Sequence, residues 1–110
     1  MLEVECHISI RKDGNCFLSP AKTGLLYGIK QCGSLSGAAK KMNISYQHAW
    51  TMIDEMNRTA PEPLVMKQRG GANGGGAEIS GYGLKILKDY ALIESQVKKL
   101  ISQINVEINL

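Results

Sequence analysis

The stretch that decides the fold is GSLSGAAKKMNISYQHAWTMIDEMNR, residues 33–58. It contains two helical patterns, each opened by a serine, Ser34 and Ser45, whose hydroxyl can cap the free N–H groups at a helix start. A pair of alanines in the first pattern lets two helices approach closely, and only a very short turn separates the patterns. This order predicts a helix-turn-helix over residues 34–58.

The second helix of this pair should bury one face and expose its N-terminal turns. Its apolar residues recur at the spacing of a buried stripe: Ala49, Trp50, Ile53 and Met56. The exposed side chains would then be Tyr46, Gln47, His48 and Thr51. Such amide, hydroxyl and imidazole groups can address base edges in a major groove, while first-turn N–H groups favour phosphate. Spacing alone leaves open an ordinary solvated helix face.

Towards the N-terminus, the sequence predicts a β-hairpin over residues 1–18. Apolar and polar residues alternate from Leu2 to Ile10, which is the period of a strand with one buried face. An Asp-Gly turn follows, and Cys16-Phe17-Leu18 can return as a second strand. A first helix then begins at Ser19-Pro20 and ends near Gly33, so that helices occupy residues 19–58.

Towards the C-terminus, prolines end the helical region and a Gly-rich hairpin is expected over residues 64–79. Lys67 and Arg69 stand at the start of its loop, where they could lie near phosphates. The loop lacks the Gly-Lys-Ser/Thr ending of a phosphate-binding loop, so a nucleotide site is not favoured. A merely solvated hairpin stays open as the alternative.

A last helix is expected over residues 80–108. Its apolar residues form a heptad-like seam: Ile86, Tyr90, Ile93, Val97, Leu100 and Ile104. The seam predicts dimerisation through this helix. The alternative is that the helix folds back onto its own domain while its distal turns fray.

The composition suits a small cytoplasmic protein of one domain, residues 1–110. The net charge of +3 is too weak to establish nucleic-acid binding by itself. Three cysteines without paired spacing and two distant histidines predict reduced thiols and no metal site. His48 has no acidic partner at a spacing that would indicate a catalytic site. No apolar run is long enough for a membrane span. Neither an enzyme nor a cofactor is therefore expected.

Taken in order, these segments resemble the N-terminal domain of the ModE-type molybdate-responsive regulators, whose helix-turn-helix is related to that of LysR-type proteins. The resemblance is carried by the hairpin with its Asp-Gly turn, GSLSGAAKKMNISYQHAWTMIDEMNRTAPEPLV, the loop GGANGGGAEIS, and YGLKILKDY. It covers about residues 2–95. Relatives often have Lys or Arg after the Ser-Tyr pair, where this chain has Gln47-His48, so phosphate affinity and site preference should differ.

The resemblance implies an α+β winged helix-turn-helix with a long C-terminal dimerisation helix, acting as a dimeric transcription regulator on a pseudo-palindromic double-stranded operator. It makes Ser45 the start of the recognition helix, Trp50 a packing residue and the Gly-rich hairpin a wing. The expected DNA-binding residues are Ser34, Ser45, Tyr46, Gln47, His48, Thr51, Lys67 and Arg69. ModE-type regulators sense molybdate through a separate C-terminal module, and this chain ends at Leu110, so molybdate binding by it is not expected.

Two other hypotheses stay open. One is a winged-helix module that binds a partner protein without reading DNA sequence. The other is a DNA-binding protein whose effector acts at the dimer interface or through a separate chain.

Overall fold

The computed structural model describes residues 2–67 and 76–108, and it is an α+β structure of four helices and two β-hairpins. The first hairpin comprises β1 (Ile10–Lys12) and β2 (Asn15–Leu18), and the second comprises β3 (Val65–Lys67) and β4 (Ala77–Ile79). The helices are α1 (Pro20–Cys32), α2 (Leu35–Lys41), α3 (Tyr46–Thr59) and α4 (Gly81–Glu107).

Each helix begins at a serine cap. The Oγ atom of each serine accepts a hydrogen bond from the backbone N–H three residues later, which satisfies one of the free donors at the helix start. The four caps are Ser19, Ser34, Ser45 and Ser80. These local bonds explain why the helix starts could be predicted to within one residue.

The turn between α2 and α3 is set by Asn43, which has a left-handed φ of 59°. Its N–H donates to the Lys40 carbonyl, and the Ile44 N–H donates to the Ala39 carbonyl at 3.0 Å. This pair of bonds is the Schellman arrangement that ends a helix, and asparagine is one of the few residues that tolerate the conformation. The half-buried Ile44 then packs against the core.

The core lies where α1, α2 and α3 meet. A Cβ on Gly28 of α1 would lie only 3.0 Å from the Ala38 Cβ of α2, so the two helices are as close as the small residues predicted. The buried stripe of α3 differs from the prediction in one member. Met52 is buried, whereas Trp50 is only half-buried, because Met52 lies on the i, i+3, i+4, i+7 stripe and Trp50 lies at its edge.

The predicted strand over residues 2–10 is wrong for residues 2–9, which have no strand partner in the described part of the chain. This segment lies beside α4 instead. Val4 exchanges two backbone hydrogen bonds with the Asn105 side chain, at 2.6 and 3.2 Å. Tyr90 donates to the Ile8 carbonyl at 2.8 Å. Of the alternating apolar residues before Ile10, Val4 and Ile8 are half-buried, whereas Leu2 and Cys6 are exposed.

The second hairpin is fastened to α3 by Asn57. Its Oδ1 accepts from the Leu64 N–H at 2.8 Å, and its Nδ2 donates to the Val65 carbonyl at 3.0 Å. An isolated antiparallel bridge between Ser34 and Gly76 joins the same hairpin to the start of α2. These contacts hold β3 and β4 beside the α2–α3 pair.

Among the described residues of α4, those of its first turns pack against the core of the chain. Leu87 and Tyr90 are buried, and Tyr90 is 1% exposed, so it does not belong to an accessible seam as the heptad pattern predicted. Its ring fills the core because residues 2–9 and α1 close over this part of the helix. Beyond Tyr90, several large apolar side chains are exposed: Leu92, Ile93, Leu100, Val106 and Ile108.

No helix within residues 2–67 and 76–108 is long and apolar enough to cross a membrane. Within these same ranges, no cluster of three histidine, cysteine or acidic side chains is arranged to hold a metal ion.

Candidate nucleic-acid interface

The first turns of α3 are exposed. Tyr46 has 42% of its surface accessible, and Gln47, His48 and Thr51 are exposed too. Two hydroxyls are occupied within the helix, because the Ser45 Oγ accepts from the His48 N–H at 3.0 Å and the Thr51 Oγ1 donates to the Gln47 carbonyl at 3.1 Å. The side chains of Tyr46, Gln47 and His48 make no hydrogen bond with any described residue, so they are available to a ligand.

The first turn of α3 carries no acidic side chain. The last turn of α2 carries Lys40 and Lys41, and the Lys41 ammonium donates a hydrogen bond to the Gln31 side chain of α1 at 2.8 Å. The acidic residues of α3 lie further along, and one of them, Glu55, forms an ion pair with Lys22 of α1 at 3.1 Å. Glu55 is therefore engaged in the fold, although its side chain remains 46% exposed.

Lys22 anchors α3 to the rest of the fold. It is only 7% exposed, and besides Glu55 its Nζ contacts the Cys16 carbonyl of β2 at 2.7 Å. One buried ammonium thus connects β2, α1 and α3. Nothing in the sequence pattern indicated this role, since Glu55 is distant from Lys22 along the chain.

Ser34 is half-buried and its Oγ caps α2 by accepting from the Gly37 N–H at 3.1 Å. Its backbone bridge to Gly76 brings the start of α2 against the second hairpin. The predicted site residue Ser34 therefore lies beside β4, in a structural role that is separate from the exposed face of α3.

The second hairpin contributes Lys67 to the α3 face. The Lys67 Nζ lies 4.2 Å from the centroid of the Trp50 ring. Trp50 in turn meets the Tyr46 ring edge to face, with centroids 6.2 Å apart and planes at 85°. Tyr46 and Trp50 are one helical turn apart, so their i, i+4 spacing in the sequence could have predicted this contact. No feature of the neighbouring sequence could have predicted the contact between Trp50 and Lys67. Arg69, the other predicted cation, lies outside the described residues.

A second surface is formed by the distal half of α4. Of the predicted seam, Ile93 and Leu100 are exposed, while the rest are partly or fully buried: Ile86, Tyr90, Val97 and Ile104. Val97 also lines a cleft between α4 and residues 4–8, so the N-terminal segment covers one side of the helix. Fewer residues of the seam are therefore accessible than the heptad pattern predicted.

The fold and these surfaces define a small α+β protein in which one exposed helix and one β-hairpin share a polar, cation-bearing face. No protein-family profile matches the sequence.

Individual relatives do match. The chain is 37% identical over 94 residues to the transcriptional regulator ModE of Haemophilus influenzae, a match that covers 86% of this chain and 37% of that protein. It is 36% identical over 102 residues to the molybdenum transport protein ModE of Azotobacter vinelandii, covering 93% of this chain and 38% of that protein. It is also 35% identical over 92 residues to the DNA-binding transcriptional dual regulator ModE of Escherichia coli K12, covering 84% and 35%.

This chain belongs to the ModE-type family, as the resemblance predicted. It spans a little over a third of the length of these curated relatives.

Proposed function

We propose that this chain is a winged helix-turn-helix that binds double-stranded DNA as a transcription regulator and not as an enzyme. The observation that carries the proposal is the shared face of α3 and the β3–β4 hairpin, on which free polar side chains of α3 lie beside Lys67. The relationship to a regulator that is itself named as DNA-binding adds to it.

In this proposal α3 is the recognition helix and enters the major groove, which is wide enough for one α-helix. Gln47 and His48 would address base edges, since their amide and imidazole groups can both donate and accept hydrogen bonds. Tyr46 and Lys67 would contact the sugar-phosphate backbone and set the register of the helix. The β3–β4 hairpin would then be the wing.

Two copies are proposed to associate through the distal half of α4. Ile93 and Leu100 are large apolar side chains exposed two turns apart on that helix, and burying them against a second copy removes apolar surface from water. A two-fold dimer of this kind would place its recognition helices about 34 Å apart, or a multiple of it, on a pseudo-palindromic site.

The test of DNA reading is selection of bound sequences from a random duplex pool at near-physiological salt. The wild type should enrich one two-fold site, and Gln47→Ala combined with His48→Ala should abolish or change that preference. The matched control is Gln31→Ala combined with His7→Ala, which removes the same two side-chain types from exposed positions outside α3 and α4. The control should enrich the wild-type site.

Failure of the folded wild type to enrich any site would refute sequence reading. If the binding of duplex DNA is also insensitive to salt concentration, the partner-protein module is favoured. Phosphate contacts weaken steeply as salt rises, whereas an apolar interface does not.

The dimer is tested by light scattering on Leu100→Glu, which should be monomeric at concentrations where the wild type is dimeric. Val106→Glu is the matched control, since Val106 is exposed on the same helix but lies off the heptad seam. A dimer that survives Leu100→Glu and is lost in Val106→Glu would place the interface elsewhere.

A further inference from the structure

The contact between Lys67 and Trp50 joins two elements that would both touch DNA. Lys67 is the last residue of β3, and Trp50 lies in the second turn of α3. The Lys67 ammonium lies 4.2 Å from the ring centroid, well within the range of a cation–π interaction. The wing strand and the recognition helix are thereby linked through side chains.

Because its aromatic partner is neutral, Lys67 keeps its positive charge. A carboxylate would hold the lysine but cancel its charge, whereas a neutral ring holds it and leaves the full positive charge. No carboxylate lies within 4.0 Å of the Lys67 Nζ among the residues that the structure describes. The ammonium therefore keeps its N–H donors and its charge for an anion.

The contact with the Trp50 ring also restricts the position of the Lys67 side chain. A free lysine side chain has many rotamers and loses that freedom when it binds a phosphate. Contact with the Trp50 ring restricts Lys67 before DNA arrives, and the edge-to-face contact with Tyr46 restricts the ring in turn. Half-burial of Trp50 is what makes this possible, since one face of the ring remains outside the core.

We propose that the Trp50 ring is a neutral platform that holds the Lys67 ammonium in position for a DNA phosphate, so that the wing strand and the recognition helix bind the duplex as one unit. Lys67 would make the contact, and Trp50 is a positioning residue. This inference rests on the proposed function, which it extends by naming the residue that positions Lys67 for its phosphate contact.

A double-mutant cycle on the full chain tests it, using Trp50→Leu, Lys67→Met and the combination, with a labelled 30-base-pair duplex carrying the enriched site. Lys67→Met should lower the slope of log K against log salt by about 0.9, the value expected for one lost phosphate contact. Its effect on affinity should be about two- to fivefold larger in the wild type than in the Trp50→Leu background. Lys88→Met is the matched control, because it removes one exposed lysine from α4 and should leave the slope unchanged.

Two further measurements guard against a purely structural effect of Trp50. Trp50→Phe keeps an aromatic face and should retain most of the coupling. In the free protein, NMR should show the ε-methylene protons of Lys67 shifted upfield by the ring, and the shift should disappear in Trp50→Leu. The single tryptophan also allows its fluorescence to be followed in the Lys67 variants.

The outcomes separate the two levels of the proposal. If the wild type binds the duplex and the two substitutions act additively, with no change in salt slope for Lys67→Met, the platform is refuted and the proposed function stands. If the folded wild type does not bind duplex DNA at all, the proposed function fails and this inference fails with it, even where NMR detects the contact.

Discussion

Gly83 is the position where the addition of one methyl group should be most costly. It lies in the first turn of α4 and is buried. A Cβ there would collide with the Leu64 carbonyl oxygen and would lie 2.9 Å from the Ile79 Cγ2. The same carbonyl accepts a hydrogen bond from the Ser80 N–H at 2.9 Å, so it cannot move without loosening the cap of α4.

The expected cost of Gly83→Ala follows from opposing effects. Alanine favours a helix over glycine by up to about 1 kcal/mol. Overpacking a filled site costs about 1–3 kcal/mol, and a weakened hydrogen bond adds about 1 kcal/mol. A net loss of about 2 kcal/mol in the free energy of unfolding is expected, which lowers Tm by roughly 10 °C in a protein of this size.

The matched control is Gly81→Ala, two residues earlier in the same helix turn. A Cβ on Gly81 has no described heavy atom within 4 Å, so this variant should be as stable as the wild type or slightly more stable. Urea denaturation followed by circular dichroism, at one protein concentration, compares the three proteins. If Gly83→Ala proved as stable as Gly81→Ala, the close approach of α4 to the hairpin would be wrong.

Three further outcomes are expected. Burial raises the pKa of Tyr90 above its ordinary value of 10.0. The stability that the neutral Tyr90 phenol contributes is therefore complete below pH 10.0 and is lost as pH rises through the folded-state pKa. In urea titrations above pH 10, Tyr90→Phe should therefore lose less stability than the wild type; parallel losses would contradict this. Asn57→Ala removes hydrogen bonds at 2.8 and 3.0 Å that fasten β3, and should lower the free energy of unfolding by about 1–3 kcal/mol; an unchanged urea midpoint would argue against the clamp. Gly28→Ala should lower Tm because its Cβ would lie 3.0 Å from Ala38, whereas Gly24→Ala, which meets only the flexible end of a methionine, should not; equal melting curves would rule out the tight α1–α2 contact.

The sequence by itself determined the helices and their order, because their limits depend on neighbours within a few residues. Each of the four serine caps bonds to an N–H three positions away, and the Asp13-Gly14 turn needs only two residues with positive φ. The exposure of Gln47 and His48 followed from helical periodicity alone. The family relationship was also contained in the sequence, through the order of these motifs.

Only the tertiary structure decided which partners meet across the chain. Residues 2–9 alternate like a strand but lie beside α4, where the Val4 N–H donates to the Asn105 side chain and Tyr90 donates to the Ile8 carbonyl. Tyr90 fits the heptad seam yet is buried, and Trp50 fits a buried stripe yet keeps one face for Lys67. Periodicity gives the direction of a side chain from its own helix but does not identify which distant element covers it, and that depends on packing among all the elements at once.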